Sequence, residues 1–330
     1  MNRFASALTS TPLPTGALTA RMLKDVAGLW LHGGVPAMVV EVREIRGSTP
    51  RGEGTRMLVS ALGVEGTIGG GHLEWQAVAL SRDGLREALR EAPHTPPRAW
   101  EQTFALGPTL GQCCGGSVRL AFAPLDAAAL ARWAMPPARF HLELHGAGHV
   151  GQAIVRLLTD VDCTVRWIDE RPGDEAPAHG HPAERNEPIG VPDAYTLSLL
   201  PEHIRFLPTD APDDEVADAP PGACHLVLTH RHDLDLRIVE AILRRGDAGF
   251  VGMIGSKTKR AKFEHRLSAQ GISEAALQRL VCPIGLQGIA GKEPAVIAIS
   301  VVAQLLHTMP PSPHMLRDVQ ADAPPDALPP

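Results

Sequence analysis

Two cysteines side by side, fenced by glycines, are the most unusual chemistry in this chain: Leu110-Gly111-Gln112-Cys113-Cys114-Gly115-Gly116. Adjacent cysteines bridge each other only with strain, so the pair suits ligation or sulfur transfer better than a structural disulfide. A thiolate at either position would be a soft metal ligand. The glycines let backbone and thiol come close to whatever is bound. The plainer alternative is a strand that opens with one cysteine buried and one exposed. The other three cysteines, Cys163, Cys224 and Cys282, read as small core residues.

Glycine loops supply a second kind of chemistry. Gly146-Ala147-Gly148-His149-Val150-Gly151 is a G-x-G-x-x-G between an expected strand and an expected helix. In that setting Gly146 makes the turn, Gly148 lets backbone approach a phosphate, and Gly151 permits close helix–strand packing. Asp169 closes the next strand, where an acid would hold a ribose hydroxyl and repel a 2′-phosphate. NAD(P) is therefore a candidate ligand, and a scaffold that holds something else is the alternative. In the first half, Gly69-Gly70-Gly71-His72-Leu73-Glu74 precedes a helix whose N-terminus would suit a phosphate or other anion. His72 or Glu74 would bond a polar ring, or Glu74 would simply complement the helix dipole. Arg51, in Ser48-Thr49-Pro50-Arg51, would pair bidentately with phosphate or stand solvated in its loop.

A third cluster, Thr229-His230-Arg231-His232-Asp233-Leu234-Asp235, follows a strand, and Gly255-Ser256-Lys257 follows the next one, with Lys259 and Arg260 nearby. His230 and His232 titrate near neutrality or ligate a metal, although no third cluster with metal spacing accompanies them. Ser256 and Lys257 form a second candidate anion site at a strand's C-terminal end.

Positioning these residues requires two folded parts, which the 330-residue length also favours. The first runs over residues 1–125. A helix carrying Leu18, Met22, Val26 and Leu29 ends near Gly33, and strands are expected at 37–42, 56–60 and 117–123. A helix over about 72–89 completes it, giving a mixed α/β domain. The Ala-rich stretch within 126–138 reads as a linker. From 139 to 312, strands near Leu142, 164–168, 225–229 and 250–254 alternate with helical patterns, which is the signature of a doubly wound parallel sheet. Glu143 is out of place there, because a fully buried parallel strand is usually apolar. A further strand is expected at 204–206 and a helix from Pro294, and the Pro/Ala/Asp-rich residues 313–330 read as a disordered tail. The net charge of −6 argues against a nucleic-acid groove. No apolar run is long enough for a bilayer and no secretory signal is seen, so a cytoplasmic location is expected.

Taken in order from about Leu18 to His307, these motifs resemble the XdhC/CoxI family. The Gly47–Arg51, Ile68–Glu74 and Leu110–Gly116 segments look like its N-terminal domain. The glycine fingerprint, Thr229–Asp233 and Gly252–Lys257 look like its C-terminal Rossmann domain, which Cys282-Pro283-Ile284-Gly285 continues. The resemblance implies a protein that binds molybdenum cofactor (molybdopterin), keeps it from oxidation and aids its sulfuration with a cysteine desulfurase. It would then hand the cofactor to the large subunit of xanthine dehydrogenase. One cysteine is the implied contact to molybdenum, Cys113 ahead of Cys114, and a homodimer is implied. Arg231 between the histidines, and Gly291-Lys292-Glu293-Pro294, depart from the family pattern. Two other readings compete. An NAD-dependent oxidoreductase leaves Cys113, Cys114 and both N-terminal glycine loops unused, and a thiol redox sensor explains the cysteines alone.

Overall fold

The computed structural model describes residues 18–91, 96–106, 116–135, 137–171 and 191–309. The chain divides between Pro137 and Ala138 into two units, each with its own core.

The first unit opens with α1 (Ala20–His32), capped by the Thr19 hydroxyl, which accepts the Met22 N–H. Then come β1 (Ala37–Arg46), β2 (Arg56–Ser60), β3 (Val64–Gly66), α2 (Gly71–Glu91), β4 (Trp100–Ala105) and β5 (Ser117–Pro124). The strands form one antiparallel sheet in the order β3-β2-β1-β5-β4. The start of β1 is apolar without a break because both its faces are covered. Met38, Val40 and Val42 share a core with Leu73, Ala77 and Leu85 of α2, while Ala37 and Val39 join Leu23 and Ala27 of α1. Trp100 stacks on Phe122 with ring centroids 4.6 Å apart, and Gly84 of α2 leaves room for that indole.

The stretch expected to be a linker belongs in part to this unit. Asp126 caps α3 (Ala127–Arg132) by accepting the Ala129 N–H at 2.6 Å. Leu125 and Trp133 are buried in the core with α1. The Lys24 ammonium donates to the Trp133 carbonyl at 2.8 Å, and the Arg56 guanidinium lies over the Trp133 ring. An alanine-rich composition gives no hint of these anchors.

The second unit is the expected doubly wound parallel sheet. Its elements are β6 (His141–His145), α4 (His149–Leu158), β7 (Thr164–Asp169), α5 (Ala194–Ser198), β8 (Ile204–Pro208), a 3-10 turn (Asp214–Asp218), β9 (Cys224–Val227), α6 (His232–Arg245), β10 (Phe250–Met253), α7 (Lys257–Ala269), α8 (Glu274–Leu277), β11 (Leu280–Val281) and α9 (Pro294–Thr308). The strand order is β11-β10-β9-β6-β7-β8, with every pairing parallel. Ile154 and Leu158 of α4 and Val301 and Leu305 of α9 cover one face, which also buries Leu142, Leu144, Leu226, Cys163 and Cys224. The helices α6, α7 and α8 pack on the other with Val227, Val251, Met253 and Cys282.

That second face is polar at its centre, which explains the misplaced glutamate. Glu143 is fully buried and accepts from His141 Nε2 at 2.8 Å and from Arg166 Nη1 at 3.4 Å. Arg166 continues to Glu215 in the 3-10 turn. Beside them the rings of His145 and His225 lie parallel, with centroids 5.8 Å apart. Among the described residues, neither His145 nitrogen, nor His225 Nδ1, nor Glu143 Oε2 has a hydrogen-bond partner. Burial pushes the His225 imidazole down to about 4, with Arg245 adding to the effect. Burial, with His225 and Arg166 beside it, holds His145 well below the ordinary histidine range.

Candidate functional site

In the first unit, three of the marked motifs meet at one end of the sheet. β1 ends at Arg46 and runs into the Gly47-Ser48 loop, and Gly116, last residue of the cysteine segment, is buried against that loop. A β-carbon on Gly116 would stand 2.4 Å from the Arg46 carbonyl oxygen and 2.5 Å from that of Ser48. The Gly116 carbonyl accepts the Leu106 N–H at 2.7 Å, which clamps the two ends of segment 107–115 together. Gln112, Cys113, Cys114 and Gly115 lie outside the described residues.

The glycine turn packs on the same loop. Gly69 has φ +120°, and a β-carbon on it would stand 2.6 Å from the Pro50 ring and 3.5 Å from Arg51 Cγ. Gly70 and Gly71 follow, both in the left-handed region. Glu74 holds this turn together: its Oε2 accepts from the Thr67 hydroxyl, from the Ile68 N–H at 3.1 Å and from the Gly70 N–H at 3.0 Å. The chain's own carboxylate thus fills the inside of the turn that leads into α2. Glu74 is engaged inside the turn and is not offered to a polar ring. Arg51 is exposed, and its side chain makes no hydrogen bond or ion pair among the described residues. His72 is also at the surface, 3.1 Å from Gln76 Nε2.

In the second unit the marked residues gather at the C-terminal edge of the sheet. Strand order reverses there between β6 and β9, the place where doubly wound sheets take ligands. Gly146 has φ +123°, and a β-carbon on it would stand 2.4 Å from the Leu228 carbonyl oxygen; one on Gly151 would stand 2.2 Å from the Gly146 carbonyl oxygen. Both serve the packing of the loop. Gly148 does not: nothing lies within 4 Å of its β-carbon position, and its φ of −70° suits any residue.

Asp169 is where the fingerprint puts it, but its carboxylate is already filled. Oδ1 accepts the Arg171 backbone N–H at 2.9 Å and Arg171 Nε at 2.8 Å; Oδ2 accepts the Ala147 N–H at 2.6 Å and Arg171 Nη2 at 2.8 Å. Burial raises its pKa, but the bonds from Arg171 and Ala147 outweigh that and hold the carboxyl below its usual range. The acid expected to meet a ribose hydroxyl instead ties β7 to the glycine loop. Glu170 beside it pairs with His230 Nε2 and Arg231 Nη1, each at 3.2 Å, so His230 is likewise engaged.

A cavity of about 330 Å³ opens at the ends of β9 and β10, lined by Thr229, His230, His232, Gly255, Ser256 and Lys259. Its cation is Lys259, not Lys257, which is exposed. Lys259 Nζ donates to Asp235 Oδ2 at 2.6 Å and to the Ile254 carbonyl at 2.9 Å. Asp235, fully buried, also accepts the Thr229 N–H at 3.1 Å and its hydroxyl at 2.7 Å. Sequence reading places Asp235 at the end of the marked segment without a role, because its contacts with Thr229 and Lys259 arise only in the fold. The Ser256 hydroxyl accepts the Lys259 N–H at 3.2 Å and caps α7. No group of three histidines, cysteines or acids is placed to hold a metal ion among the described residues.

A small antiparallel α/β unit with glycine loops, followed by a Rossmann-type unit, defines the class: a two-unit α/β protein. Residues 142–305 match the XdhC Rossmann domain and residues 30–92 match the XdhC and CoxI family. These matches take in well over half of the sequence, and the chain belongs to the XdhC and CoxI family. It is 28% identical over 283 residues to the uncharacterized protein YqeB of Escherichia coli K12, covering 82% of this chain and 43% of that protein. The chain thus spans less than half the length of this curated relative. It is also similar to the crystal structure of a protein described as a xanthine dehydrogenase from Bacillus halodurans. That match has a TM-score of 0.63 and 17% identity, covering 91% of this chain and 98% of the other; at this identity the likeness concerns the fold. Among the described residues, no helix is long and apolar enough to cross a membrane.

Proposed function

We propose that this protein is an accessory factor for a molybdenum hydroxylase. It holds molybdenum cofactor, shields it from oxidation, supports its sulfuration with a cysteine desulfurase and passes it to the large subunit of a xanthine dehydrogenase. It acts in the cytoplasm as a homodimer. Family membership supports the reading, and so does the neighbour described as a xanthine dehydrogenase. The observation that carries it is the convergence of the Gly47–Arg51 loop, the Gly69–Gly71 turn and the Gly116 end of the cysteine segment.

The residues fit the ligand's parts. Arg51, unpartnered beside the turn, offers a fork of donors to a phosphate. The Cys113 thiol, with Cys114 next to it, is the soft donor for molybdenum. When bound, the cofactor supplies the metal and sulfur centre that the target enzyme uses, while the chain's own groups bind, orient and shield it. Anaerobic binding of purified molybdenum cofactor to wild type and to Cys113→Ala and Cys114→Ala tests the reading. Binding that weakens about tenfold or more on one substitution is expected, a loss of about 1.4 kcal/mol. A folded wild type that binds no cofactor would overturn it.

A nucleotide such as NAD(P) in the second unit is the alternative that one observation favours: Gly148 is open, and no packing among the described residues requires a glycine there. The occupied Asp169 carboxylate weighs against the usual ribose contact. Titration with NADH checks it directly.

A further inference from the structure

Packing in the first unit does not account for the indole of Trp75. It is 66% exposed, although it stands near the start of α2 between Leu73 and Ala77, both fully buried. One helical turn back, the His72 ring lies 5.5 Å from it, centroid to centroid, tilted by 32°. His72 is steadied in turn by Gln76. The result is a braced aromatic pair at the end of α2 that adjoins the Gly69–Gly71 turn. Arg51 lies against that same turn with an unpartnered side chain. The Ile68 and Gly70 N–H groups are spent on Glu74 and the Gly69 N–H on the Thr67 hydroxyl, so a ligand here gains nothing from those three donors and gains most from a flat surface and a cation. Those are what Trp75, His72 and Arg51 provide.

We infer that Trp75, braced by His72, is the stacking platform for a planar, phosphate-bearing heteroaromatic ring system, the pterin, with Arg51 taking its phosphate. This rests on the cofactor-binding reading above and adds the specificity residue. The chemistry favours a polar ring system over a protein partner. Indoles stack on heteroaromatic faces regardless of their edge pattern, whereas a protein interface centres on a contiguous apolar patch. The flanking residues on this helix face, His72 and Gln76, are polar.

The test uses the full chain and two probes under anaerobic conditions: molybdenum cofactor, and a metal-free pterin carrying a phosphomethyl side chain. Wild type should bind both, with quenching of tryptophan emission. Trp75→Leu should weaken both by about tenfold, or 1.4 kcal/mol, while Trp75→Phe, which keeps a ring, should stay within about threefold. Thermal melting of Trp75→Leu should match wild type, because the indole buries little. Cys113→Ala should weaken the metal-bearing probe and leave the metal-free one unchanged. Wild-type affinity for both probes in Trp75→Leu would overturn the platform while leaving the cofactor reading intact. Failure of wild type to bind either probe would overturn both. Loss of association with a partner enzyme in Trp75→Leu, with pterin binding intact, would assign the indole to docking and end this inference.

Discussion

Gly148 and Gly151 stand three residues apart in one fingerprint and do different work. Gly151 is required by the fold, since its missing β-carbon leaves space for the Gly146 carbonyl. Gly151→Ala is expected to cost about 2–3 kcal/mol through overpacking. Gly148→Ala should cost under about 1 kcal/mol, the scale of a helix-cap change. Denaturant unfolding of the two variants separates them, and equal losses would show that Gly148 also carries packing. The motif was legible in the sequence, but this division of labour was not: it depends on which backbone atoms crowd each glycine. Glu74, Asp169 and His230 show the same limit. Each was recognised as a polar group near a loop. Whether it is offered to a ligand or spent on Gly70, Arg171 or Glu170 depends on hydrogen bonds that only the fold decides.

At the scale of elements, β6 is the informative strand. It reads His-Leu-Glu-Leu-His, and the alternation is real: the leucines enter the apolar core and the polar residues line the opposite face. The cost of that face has a pH signature. His225 titrates near 4 in the fold and near 6.5 in the unfolded chain. Between those values the unfolded chain takes up a proton that the folded one refuses. Stability is therefore complete above about pH 7 and falls as pH drops through that window, by roughly 3 kcal/mol for this group. His145 acts in the same direction. Denaturant midpoints of wild type should drop between pH 7.5 and 5, and His225→Phe should flatten the drop. A wild type equally stable at both values would show that the buried imidazoles are solvated. The strands that sequence reading overlooked, β3, β4 and β11, are edge strands: β3 is three residues long, β11 two, and in β4 only Phe104 is buried. Without an alternating apolar face they leave no periodic signal. The parallel strands β6 to β10 were found within a few residues.

At the scale of the molecule, the two units carry separate cores, and the division of the chain in two was readable because glycine loops and periodic strands recur on either side of residues 126–138. The order of the motifs also survived translation into structure, with the three N-terminal motifs converging on one sheet end. The composition of 126–135 misled because alanines hid a capped helix and a buried Trp133. Two cores predict two calorimetric transitions. Glu74→Ala, which strips the turn of an ionised acceptor, should lower one of them by about 5–10 °C, and Gly151→Ala should lower the other by a similar amount. A single transition that moves with either variant would show that the units melt together. The self-filled turn at Gly69–Gly71 has one further consequence. An anion tethered three residues away acts at an effective molarity that no dissolved anion matches. Dilution leaves that occupancy unchanged, and sulfate or phosphate in a crystallisation drop would not displace the carboxylate from the Ile68 and Gly70 N–H groups. A turn held from within by Glu74 needs no ligand to keep its shape, so it serves as an abutment for the loops beside it.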